Sequence, residues 1–513
     1  MVSRISSLGL FGLNAFSVDV EVDICRGQPH FEIVGLPDAS VRESRERIRS
    51  ALNSISVVLP AKRITVNLAP ADVKKSGTMH DLAILIGILQ SMGNISADLR
   101  GKCFIGEVSL SGEVRAVNGV LPMALLAPAL GVEELYVPMD NAFEASAAEQ
   151  VKVYGVRSVA QLLAHLDGTE RIQPQPAYQI PADDRQALPD FSAVKGQQSA
   201  KRALEIAAAG GHNALMIGPP GSGKSMLAKR LPSILPEMTP EESQETTNIY
   251  SISGMLDNRA PLITRRPFRA PHHTVSGVGL VGGGSTPRPG EISLAHNGLL
   301  FLDELAEFDR HTLELMRQPL EDGVVTITRV SGTITYPCRF MLVGAMNPCP
   351  CGYFGHPRRA CTCSPRQVQA YLSKLSGPLL DRFDLHIEVE PVEFEDLSAA
   401  GRSESSAEIR KRVQRARDLQ AQRFQGTHIV CNAQITADLR DTFCPMDDAA
   451  KQLLHDAFDR LGLSGRAYDR ILKVARTIAD LAECETIGKS HIAAAVQYRS
   501  LDRKYWASGS QRR

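Results

Sequence analysis

The 513-residue sequence lacks any long hydrophobic run: its longest apolar stretch, residues 82–89, is far shorter than the roughly 20 residues that cross a bilayer. It also lacks net charge, because 57 basic residues balance 57 acidic ones. These absences exclude a helical membrane protein and a uniformly basic protein that coats nucleic acid. No small-residue cleavage site follows the N-terminal apolar residues, so we expect a cytoplasmic protein. In that compartment the ten cysteines indicate thiols or a metal site, not disulfides.

Five segments differ in composition and periodicity, and 513 residues are too many for a single hydrophobic core. Residues 1–168 alternate strand-like and helical patterns, which predicts an α/β domain. Residues 169–189 are rich in proline and polar residues and predict a linker. Residues 190–392 predict a second α/β domain, residues 393–505 a helical domain, and residues 506–513 a frayed tail.

A glycine-rich segment in the second domain fits the pattern G-x-x-x-x-G-K-[ST] in full. It follows the apolar run 214–217 and precedes a helical pattern at 226–231, which is the setting of a phosphate-binding loop. Its glycines let backbone N–H groups face one anion at the positive end of the helix. We therefore predict an ATP site formed by Gly218, Pro219, Pro220, Gly221, Ser222, Gly223, Lys224 and Ser225.

A second apolar run, residues 299–302, ends in two adjacent carboxylates. Four unalternated apolar residues are typical of a buried parallel strand, and open α/β sheets bind ligands at the carboxyl ends of such strands. The Ser225 hydroxyl and the Asp303 carboxylate can hold Mg²⁺, while Lys224 can reach the β- and γ-phosphates. Glu304 can orient or deprotonate the attacking water. These residues favour hydrolysis of ATP over simple binding.

Three further motifs follow in order: a strand at 340–345 leading to MNPCPCG, the run SGPLLDRFDL at 376–385, and LSGRA at 463–467. Together with GPPGSGKS and LLFLDEL, they resemble the AAA+ ATPases of the magnesium-chelatase-like group and, more narrowly, the bacterial ComM/YifB family. The resemblance covers nearly the whole chain. It implies an α/β fold with an N-terminal Lon-protease-like (ribosomal S5 domain 2-like) domain, an AAA+ P-loop motor with an insert and a pore hairpin, and a C-terminal helical lid.

The resemblance assigns roles to matching positions. Asn347 would position the attacking water, and Arg466 would be the sensor from the helical lid. Arg382 would be an arginine finger that reaches the γ-phosphate of a neighbouring subunit, which implies a ring, a homo-hexamer. Residues 194–197 resemble the segment that covers the adenine.

The N-terminal domain resembles Lon-type proteases at residues 67–72 and 106–114, and such proteases use a serine–lysine dyad. In the alignment, Met79 stands at the nucleophile position and Leu121 at the lysine position. Neither side chain can act as a nucleophile or a base. We therefore expect the fold without the protease chemistry, with a shifted dyad through Ser76 as the alternative.

Four cysteines follow the third strand as two close pairs separated by a loop with glycine and proline: Cys349, Cys351, Cys361 and Cys363. Four thiolates can hold one tetrahedral Zn²⁺, and this loop has little apolar content that would order it otherwise. We predict a structural zinc site with no open position for catalysis. Buried free thiols are the alternative, because C-x-C is tighter than the usual C-x₂-C spacing.

Two segments of the motor, residues 258–290 and 323–380, contain no acidic residue, although about ten would be expected in those 91 residues. The first is glycine-rich at 277–284, and the second begins with an alternating pattern that predicts a β-hairpin over 324–336. In the AAA+ group that the chain resembles, such inserts and hairpins point into the channel of the ring. An acid-free lining suits the phosphates of DNA; buried strands and nucleotide contacts are the alternative. The predicted DNA-binding residues are Arg265, Arg266, Arg269, Arg329, Arg358 and Arg359.

These features predict a ring-forming, ATP-driven DNA translocase or helicase acting on single-stranded or branched DNA. The resemblance points to branch migration during recombination of incoming DNA. The rival is a magnesium-chelatase-like or MoxR-like motor that remodels a protein partner; the N-terminal domain, foreign to the chelatase motor subunit, argues against it. A nucleotide-gated DNA scaffold is the third alternative, which the intact Asp303 and Glu304 pair disfavours.

Overall fold

The computed structural model describes residues 2–177, 188–257, 262–284, 287–329, 332–391, 404–499 and 501–506. The chain forms two compact units. The first consists of Met1–Ala182, Pro240–Ile263 and Thr326–Tyr336, and the second of Asp183–Thr239, Thr264–Val325 and Pro337–Arg513. Two segments of the predicted motor range therefore belong to the first unit. No helix in the described ranges is long and apolar enough to cross a membrane.

The N-terminal part alternates strands and helices. Its strands are β1 (Ser3–Phe11), β2 (Asn14–Cys25), β3 (His30–Val34), β4 (Arg63–Ala69), β5 (Lys102–Phe104), β6 (Glu107–Val108), β7 (Val114–Arg115), β8 (Glu134–Pro138) and β9 (Lys152–Val156). Its helices are α1 (Ala39–Ser54), α2 (Asp81–Met92), α3 (Val120–Leu126), α4 (Met139–Ala145) and α5 (Val159–Leu166). Seven of the strands form one mixed sheet in the order β3-β4-β2-β1-β5-β8-β9.

Two sequence patterns build the core of this sheet. In β2, Val18, Val20 and Val22 alternate with more exposed residues and are fully buried. Helix α2 packs on β1 and β2, and its apolar residues from Leu82 to Leu89 are all buried, which explains why the longest apolar run of the chain is a core helix. A glycine with φ of +82°, Gly93, ends this helix.

The motor alternates in the same way. Its strands are β10 (Ala214–Ile217), β11 (Phe268–Arg269), β12 (Gly282–Gly283), β13 (Arg288–Pro289), β14 (Leu299–Leu302), β15 (Val324–Arg329), β16 (Gly332–Pro337), β17 (Met341–Met346) and β18 (Leu385–Glu388). Its helices are α6 (Gln198–Gly210), α7 (Lys224–Arg230), α8 (Pro240–Ser253), α9 (Gly277–Val281), α10 (Glu291–Leu294), α11 (Arg310–Glu314), α12 (Arg317–Asp322), α13 (Pro365–Leu372) and α14 (Gly377–Leu380).

The motor sheet is parallel throughout and has the order β11-β14-β17-β10-β18. Every residue of β10, β14 and β17 is buried, which accounts for their unalternated apolar sequences. Because parallel strands end at one edge of the sheet, the phosphate loop, Asp303 and Asn347 all emerge at that edge.

The C-terminal part is helical, as the sequence predicts. Its helices are α15 (Ser406–Arg423), α16 (Arg440–Phe443), α17 (Asp448–Leu461), α18 (Gly465–Leu481), α19 (Lys489–Gln497) and α20 (Leu501–Trp506). The amphipathic helix α18 begins after Ser464, whose side chain accepts a hydrogen bond from the Ala467 N–H. Its buried face packs on α6 and α15, which joins the helical part to the motor core.

The two motor segments in the first unit pack against the N-terminal sheet. Helix α8 lies on α3, and the Gly119 N–H donates to the Ser251 carbonyl oxygen at 3.1 Å. The predicted hairpin is formed by β15 and β16, while its turn lies outside the described residues. Near this turn, Gly332 fits against the Phe11 ring, where a Cβ would lie 2.7 Å from Cζ.

Candidate active site

The phosphate loop joins β10 to α7, and its first residue has no room for a side chain. A Cβ at Gly218 would lie 2.2 Å from the Val389 carbonyl oxygen. Gly221 and Gly223 have φ angles of +77° and +91°, a region that favours glycine. Glycine is therefore required at these positions by the backbone, and the loop has the strand–loop–helix geometry that the motif predicts.

Lys224 is the first residue of α7, and its amine lies inside the loop. The Nζ atom donates to the carbonyl oxygens of Gly218 at 2.7 Å and of Pro219 at 2.9 Å, and it lies 3.3 Å from Oδ1 of Asn347. Burial lowers the pKa of Lys224 to about 8, although the Asp303 carboxylate acts in the opposite direction. The structure thus brings the predicted lysine and the predicted sensor Asn347 together.

Ser225 and Asp303 also meet at this edge of the sheet. The Ser225 hydroxyl donates to Oδ2 of Asp303 at 2.5 Å, and the Glu304 N–H donates to Oδ1 at 2.9 Å. A hydroxyl beside a carboxylate is the set of hard oxygen ligands that P-loop proteins offer to Mg²⁺. The residues predicted to hold Mg²⁺ therefore fit that ion.

Glu304 has a strained backbone and a solvent-facing side chain. Its φ and ψ angles are 51° and 44°, in the left-handed region that non-glycine residues seldom adopt. The side chain is 62% exposed, and Oε2 lies 3.6 Å from Nδ1 of His273. His273 is a neighbour of the carboxylate that sequence reasoning missed, because it follows β11, a two-residue strand with no recognisable pattern.

The predicted arginine finger, Arg382, and the predicted sensor, Arg466, lie close together. Arg382 forms an ion pair with Glu321, and Arg466, on α18, lies with Nη1 3.7 Å from Oδ2 of Asp381. Burial, followed by the charges of Arg470, Arg466 and Arg317, lowers the pKa of Arg382. Among the described hydrogen bonds and ion pairs, neither guanidinium group contacts the phosphate loop of its own chain.

A cavity of about 810 Å³ opens beside the start of the loop and is lined in part by Gln197, Pro219, Glu390 and Tyr498. Gln197 closes part of its wall, because Nε2 donates to the carbonyl oxygens of Ser222 at 3.3 Å and of Glu390 at 2.5 Å. The segment predicted to cover the adenine therefore adjoins the phosphate loop.

The four cysteines predicted to hold zinc converge on one point, with all their Sγ atoms within 4.8 Å of one another. The Sγ of Cys349 lies 3.4 Å from that of Cys351 and 3.7 Å from that of Cys361. A tetrahedral site with Zn–S bonds of about 2.3 Å has S–S edges of about 3.8 Å, so these thiols fit Zn²⁺. Backbone N–H groups, that of Tyr353 foremost, lower the pKa of Cys351 to about 5, whereas burial raises the pKa of Cys349 to about 12.

The six arginines predicted to bind DNA differ in their surroundings. Arg266 donates to the carbonyl oxygens of Pro236, Asn297 and Glu237, at 2.7, 2.8 and 2.9 Å. Arg269 makes a two-pronged ion pair with Glu291, at 2.6 and 2.7 Å, and Arg265 is partly buried. In this structure the guanidinium groups of Arg266 and Arg269 therefore have partners within the fold.

The other three predicted DNA-binding residues, Arg329, Arg358 and Arg359, are exposed. Arg329 ends β15 in the hairpin, and the two neighbouring arginines lie in the loop that carries the cysteines. The Arg359 guanidinium stacks over the Tyr353 ring with its Cζ 5.1 Å from the centroid, and Nη1 donates to the Tyr353 hydroxyl at 2.7 Å.

The positions that a Lon-type dyad would occupy are buried apolar side chains, Met79 and Leu121. Ser76 is partly exposed, but the neighbouring Lys75 is fully buried and its amine donates to the Pro70 carbonyl oxygen. Burial lowers the pKa of Lys75. The amine of Lys75 is therefore directed to Pro70 and not to the Ser76 hydroxyl.

Comparisons with known proteins agree with this arrangement. The chain is 44% identical over 503 residues to the competence protein ComM of Haemophilus influenzae, covering 96% of both chains. It is 42% identical over 495 residues to an uncharacterized protein YifB of Salmonella typhimurium, again covering 96% of both chains. The chain belongs to the ComM/YifB family of magnesium-chelatase-like AAA+ proteins.

Three family models match this ComM/YifB chain. Residues 190–397 match the model described as magnesium chelatase, subunit ChlI, and residues 403–499 match the model of the ChlI C-terminal part. Residues 20–141 match the model described as subunit ChlI of Mg-chelatase. The family model that matches the N-terminal domain is thus also named after the chelatase subunit. The presence of this domain therefore no longer argues against a chelatase-like function. The family implies use of ATP and Mg²⁺.

The magnesium-chelatase 38 kDa subunit of Cereibacter sphaeroides is a more distant relative of this ComM/YifB chain. It is 26% identical over 333 residues, which cover 59% of this chain and 88% of that subunit. The chelatase subunit therefore accounts for a part of the chain, whereas the competence protein accounts for nearly all of it.

Proposed function

We propose that this chain is a ring-forming, ATP-driven DNA translocase that promotes branch migration during recombination of incoming DNA in the cytoplasm. The observation that carries the proposal is the assembly of Lys224, Ser225, Asp303, Glu304 and Asn347 at one edge of the parallel sheet. A phosphate loop alone supports binding, whereas a carboxylate aimed at solvent beside it supports turnover.

Each residue has a distinct task in hydrolysis. Ser225 and Asp303 would hold Mg²⁺, which when bound would neutralise charge on the triphosphate. The Lys224 ammonium exchanges its loop carbonyl partners for phosphate oxygens. The Glu304 carboxylate accepts a proton from the attacking water, which the Asn347 amide orients. The cavity beside Gln197 has the volume to receive the nucleoside part of ATP.

The arginines complete the site between subunits. Arg382 and Arg466 lie close together in the fold. Each has an acidic partner there: Glu321 for Arg382 and Asp381 for Arg466. We therefore assign the Arg382 guanidinium group to the γ-phosphate bound by a neighbouring subunit, and Arg466 remains the proposed sensor from the helical lid. This arrangement requires a ring, and a homo-hexamer is the form that we propose.

DNA would be held by the exposed arginines of the two acid-free segments, Arg329, Arg358 and Arg359. Their contacts would go to phosphates and would not read bases. Arg266 and Arg269 support these segments from within, through the hydrogen bonds described above. The relative named as a competence protein supports a role in handling incoming DNA.

A protein-remodelling motor, as in magnesium chelatase, is the second candidate, since all three matching family models carry the chelatase subunit's name. The 96% coverage by the competence protein against 59% by the chelatase subunit favours the DNA motor. We further propose that Cys349, Cys351, Cys361 and Cys363 hold one structural Zn²⁺, which the convergence of their thiols supports.

The test is whether DNA stimulates ATP turnover by the purified protein. Single-stranded and four-way-junction DNA should raise the steady-state rate of wild-type protein, while Glu304→Gln should stay inactive with either. A wild-type rate that is indifferent to both DNAs would reject the DNA motor and leave the protein-remodelling candidate.

A further inference from the structure

The loop that carries the four cysteines lies directly against the ATP site. It starts at Pro348, one residue after Asn347, whose Oδ1 lies 3.3 Å from Nζ of Lys224. Pro348 and Gly352 line the same cavity as Gly218 and Pro219 of the phosphate loop. A change in the shape of this loop therefore moves groups that surround the phosphates.

Gly352 lies against Pro220 of the phosphate loop. Gly352 has a φ of +83°, and a Cβ there would lie 2.5 Å from Cδ of Pro220. Its N–H donates to the Cys349 carbonyl oxygen at 2.9 Å. The backbone between the two cysteine pairs thus packs against the phosphate loop and leaves no room for a side chain at Gly352.

The sulfur atoms hold the loop in this shape. The Phe354 N–H donates to Sγ of Cys349 at 3.3 Å, and the Cys351 N–H donates to Sγ of Cys363 at 3.4 Å. Cys349 is buried, whereas Cys351 and Cys361 are partly exposed, with their Sγ atoms 3.5 Å apart. Cys363 is partly exposed as well, so a small oxidant reaches Cys351, Cys361 and Cys363 before Cys349.

We propose that the four-cysteine loop is an oxidation-sensitive metal site that sets the activity of the adjoining ATP site. The inference rests on the proposed ATPase and zinc site, and the oxidant is a peroxide. The Cys351 thiolate attacks hydrogen peroxide, which gives a sulfenic acid and, after protonation, water. The Cys361 thiolate then attacks the Cys351 sulfur and expels hydroxide, which is protonated to a second water.

Two sulfur atoms thus lose two electrons to one peroxide and become the Cys351–Cys361 disulfide. The disulfide would leave only two of the four thiolates to hold a metal, so the loop would release it. The loop, which begins directly after Asn347, then loses the shape that holds Gly352 against Pro220. ATP turnover falls, and a thiol reductant with Zn²⁺ restores it.

The experiment uses the full chain carrying Cys25→Ser and Cys484→Ser, because these two cysteines are exposed and lie outside the loop. After treatment with hydrogen peroxide, a chromogenic chelator should detect about one zinc per chain, and peptide mapping should find Cys351 joined to Cys361. ATP turnover should fall at least about tenfold, because small displacements of catalytic groups cost this much. Dithiothreitol with Zn²⁺ should restore both zinc and turnover.

Three outcomes overturn different parts of the account. Unchanged ATP turnover after zinc release would overturn the control of the ATP site. Retention of zinc while buried thiols elsewhere are oxidised would overturn the oxidation sensitivity. An untreated, zinc-loaded protein that hydrolyses no ATP would refute the proposed ATPase itself.

A matched pair of glycine substitutions tests the contact without oxidation. Gly352→Ala should lower ATP turnover at full zinc content, because its Cβ collides with Pro220. Gly426→Ala is the control: its φ of +81° is similarly strained, but its Cβ would meet no atom within 4 Å and it does not line the cavity beside the phosphate loop. Equal losses of turnover in both variants would show that general strain, and not the contact with the phosphate loop, is responsible.

Discussion

Binding of ATP should weaken between pH 7 and pH 9, because the buried amine of Lys224 loses its proton in this range. Burial lowers the pKa of Lys224 to about 8, so about nine-tenths of the amine is protonated at pH 7 and about one-tenth at pH 9. If only the ammonium holds the phosphates, the dissociation constant rises about tenfold, or ~1.4 kcal/mol. By the same linkage, a bound polyphosphate raises the pKa of Lys224, because binding favours the protonated amine.

The assay is equilibrium binding of a fluorescent ATP analogue with Mg²⁺ at pH 7, 8 and 9, in a Glu304→Gln background that prevents turnover. Lys224→Arg in the same background is the control, because a guanidinium stays protonated throughout this range. Its binding should be weaker but independent of pH. Affinity that is constant from pH 7 to pH 9 in the lysine protein would refute the reasoning, as would the same decline in the arginine variant.

Three further predictions follow from the site. Glu304→Gln should bind ATP with wild-type affinity, whereas Lys224→Ala should lose binding itself. In a steady-state phosphate-release assay, Glu304→Gln should lose turnover by about 10²-fold or more, because the proton acceptor is gone. Mixed rings of Arg382→Ala and Lys224→Ala subunits should regain part of the turnover that each variant lacks alone, and no recovery in rings of confirmed size would rule out supply of the finger between subunits. Metal analysis of the purified protein should give about one zinc per chain. Protein that is isolated without metal, with all four thiols of the loop reacting freely with a thiol reagent, would reject the zinc site.

The sequence was sufficient to predict which residues meet at the edge of the motor sheet. The unalternated runs of β10 and β14 are typical of buried parallel strands, and such strands end at one edge of a sheet. The phosphate loop and Asp303 were therefore expected to meet, and Ser225 and Asp303 do so at 2.5 Å. The glycine positions were equally predictable, because the motif encodes the backbone geometry that Gly218 and Gly223 adopt.

The partners of individual side chains were not predictable in the same way. A count of missing acidic residues marked Arg266 and Arg269 as available, but the fold directs the first to three carbonyl groups and the second to Glu291. That acid lies just beyond the acid-free segment, so its contact depends on tertiary structure. His273 was missed for a related reason, since its distance from Glu304 is set by the sheet order and not by spacing along the chain.

The division of the chain also differs from what composition indicates. The hairpin and α8 lie within the motor range of the sequence, yet they group with the N-terminal unit. Their patterns specify a hairpin and a helix but carry no signal for which surface they cover. The close fit of Gly332 in the hairpin to Phe11, and of Gly119 to Ile252 in α8, becomes visible only in three dimensions.

The central claim, movement of DNA by this ATPase, is tested most directly by branch migration of a synthetic four-way junction with ATP and Mg²⁺. Wild-type protein should convert the junction to duplex products, and its affinity for the junction should fall steeply with salt as counterions are released. Arg329→Ala, and Arg358→Ala with Arg359→Ala, should abolish migration and flatten the salt slope by roughly one unit per lost phosphate contact. Arg329→Ala should leave basal ATP turnover and zinc content unchanged. Arg26→Ala, at an exposed arginine outside the acid-free segments, should behave as wild type. Wild-type protein that hydrolyses ATP but leaves the junction intact would contradict the account.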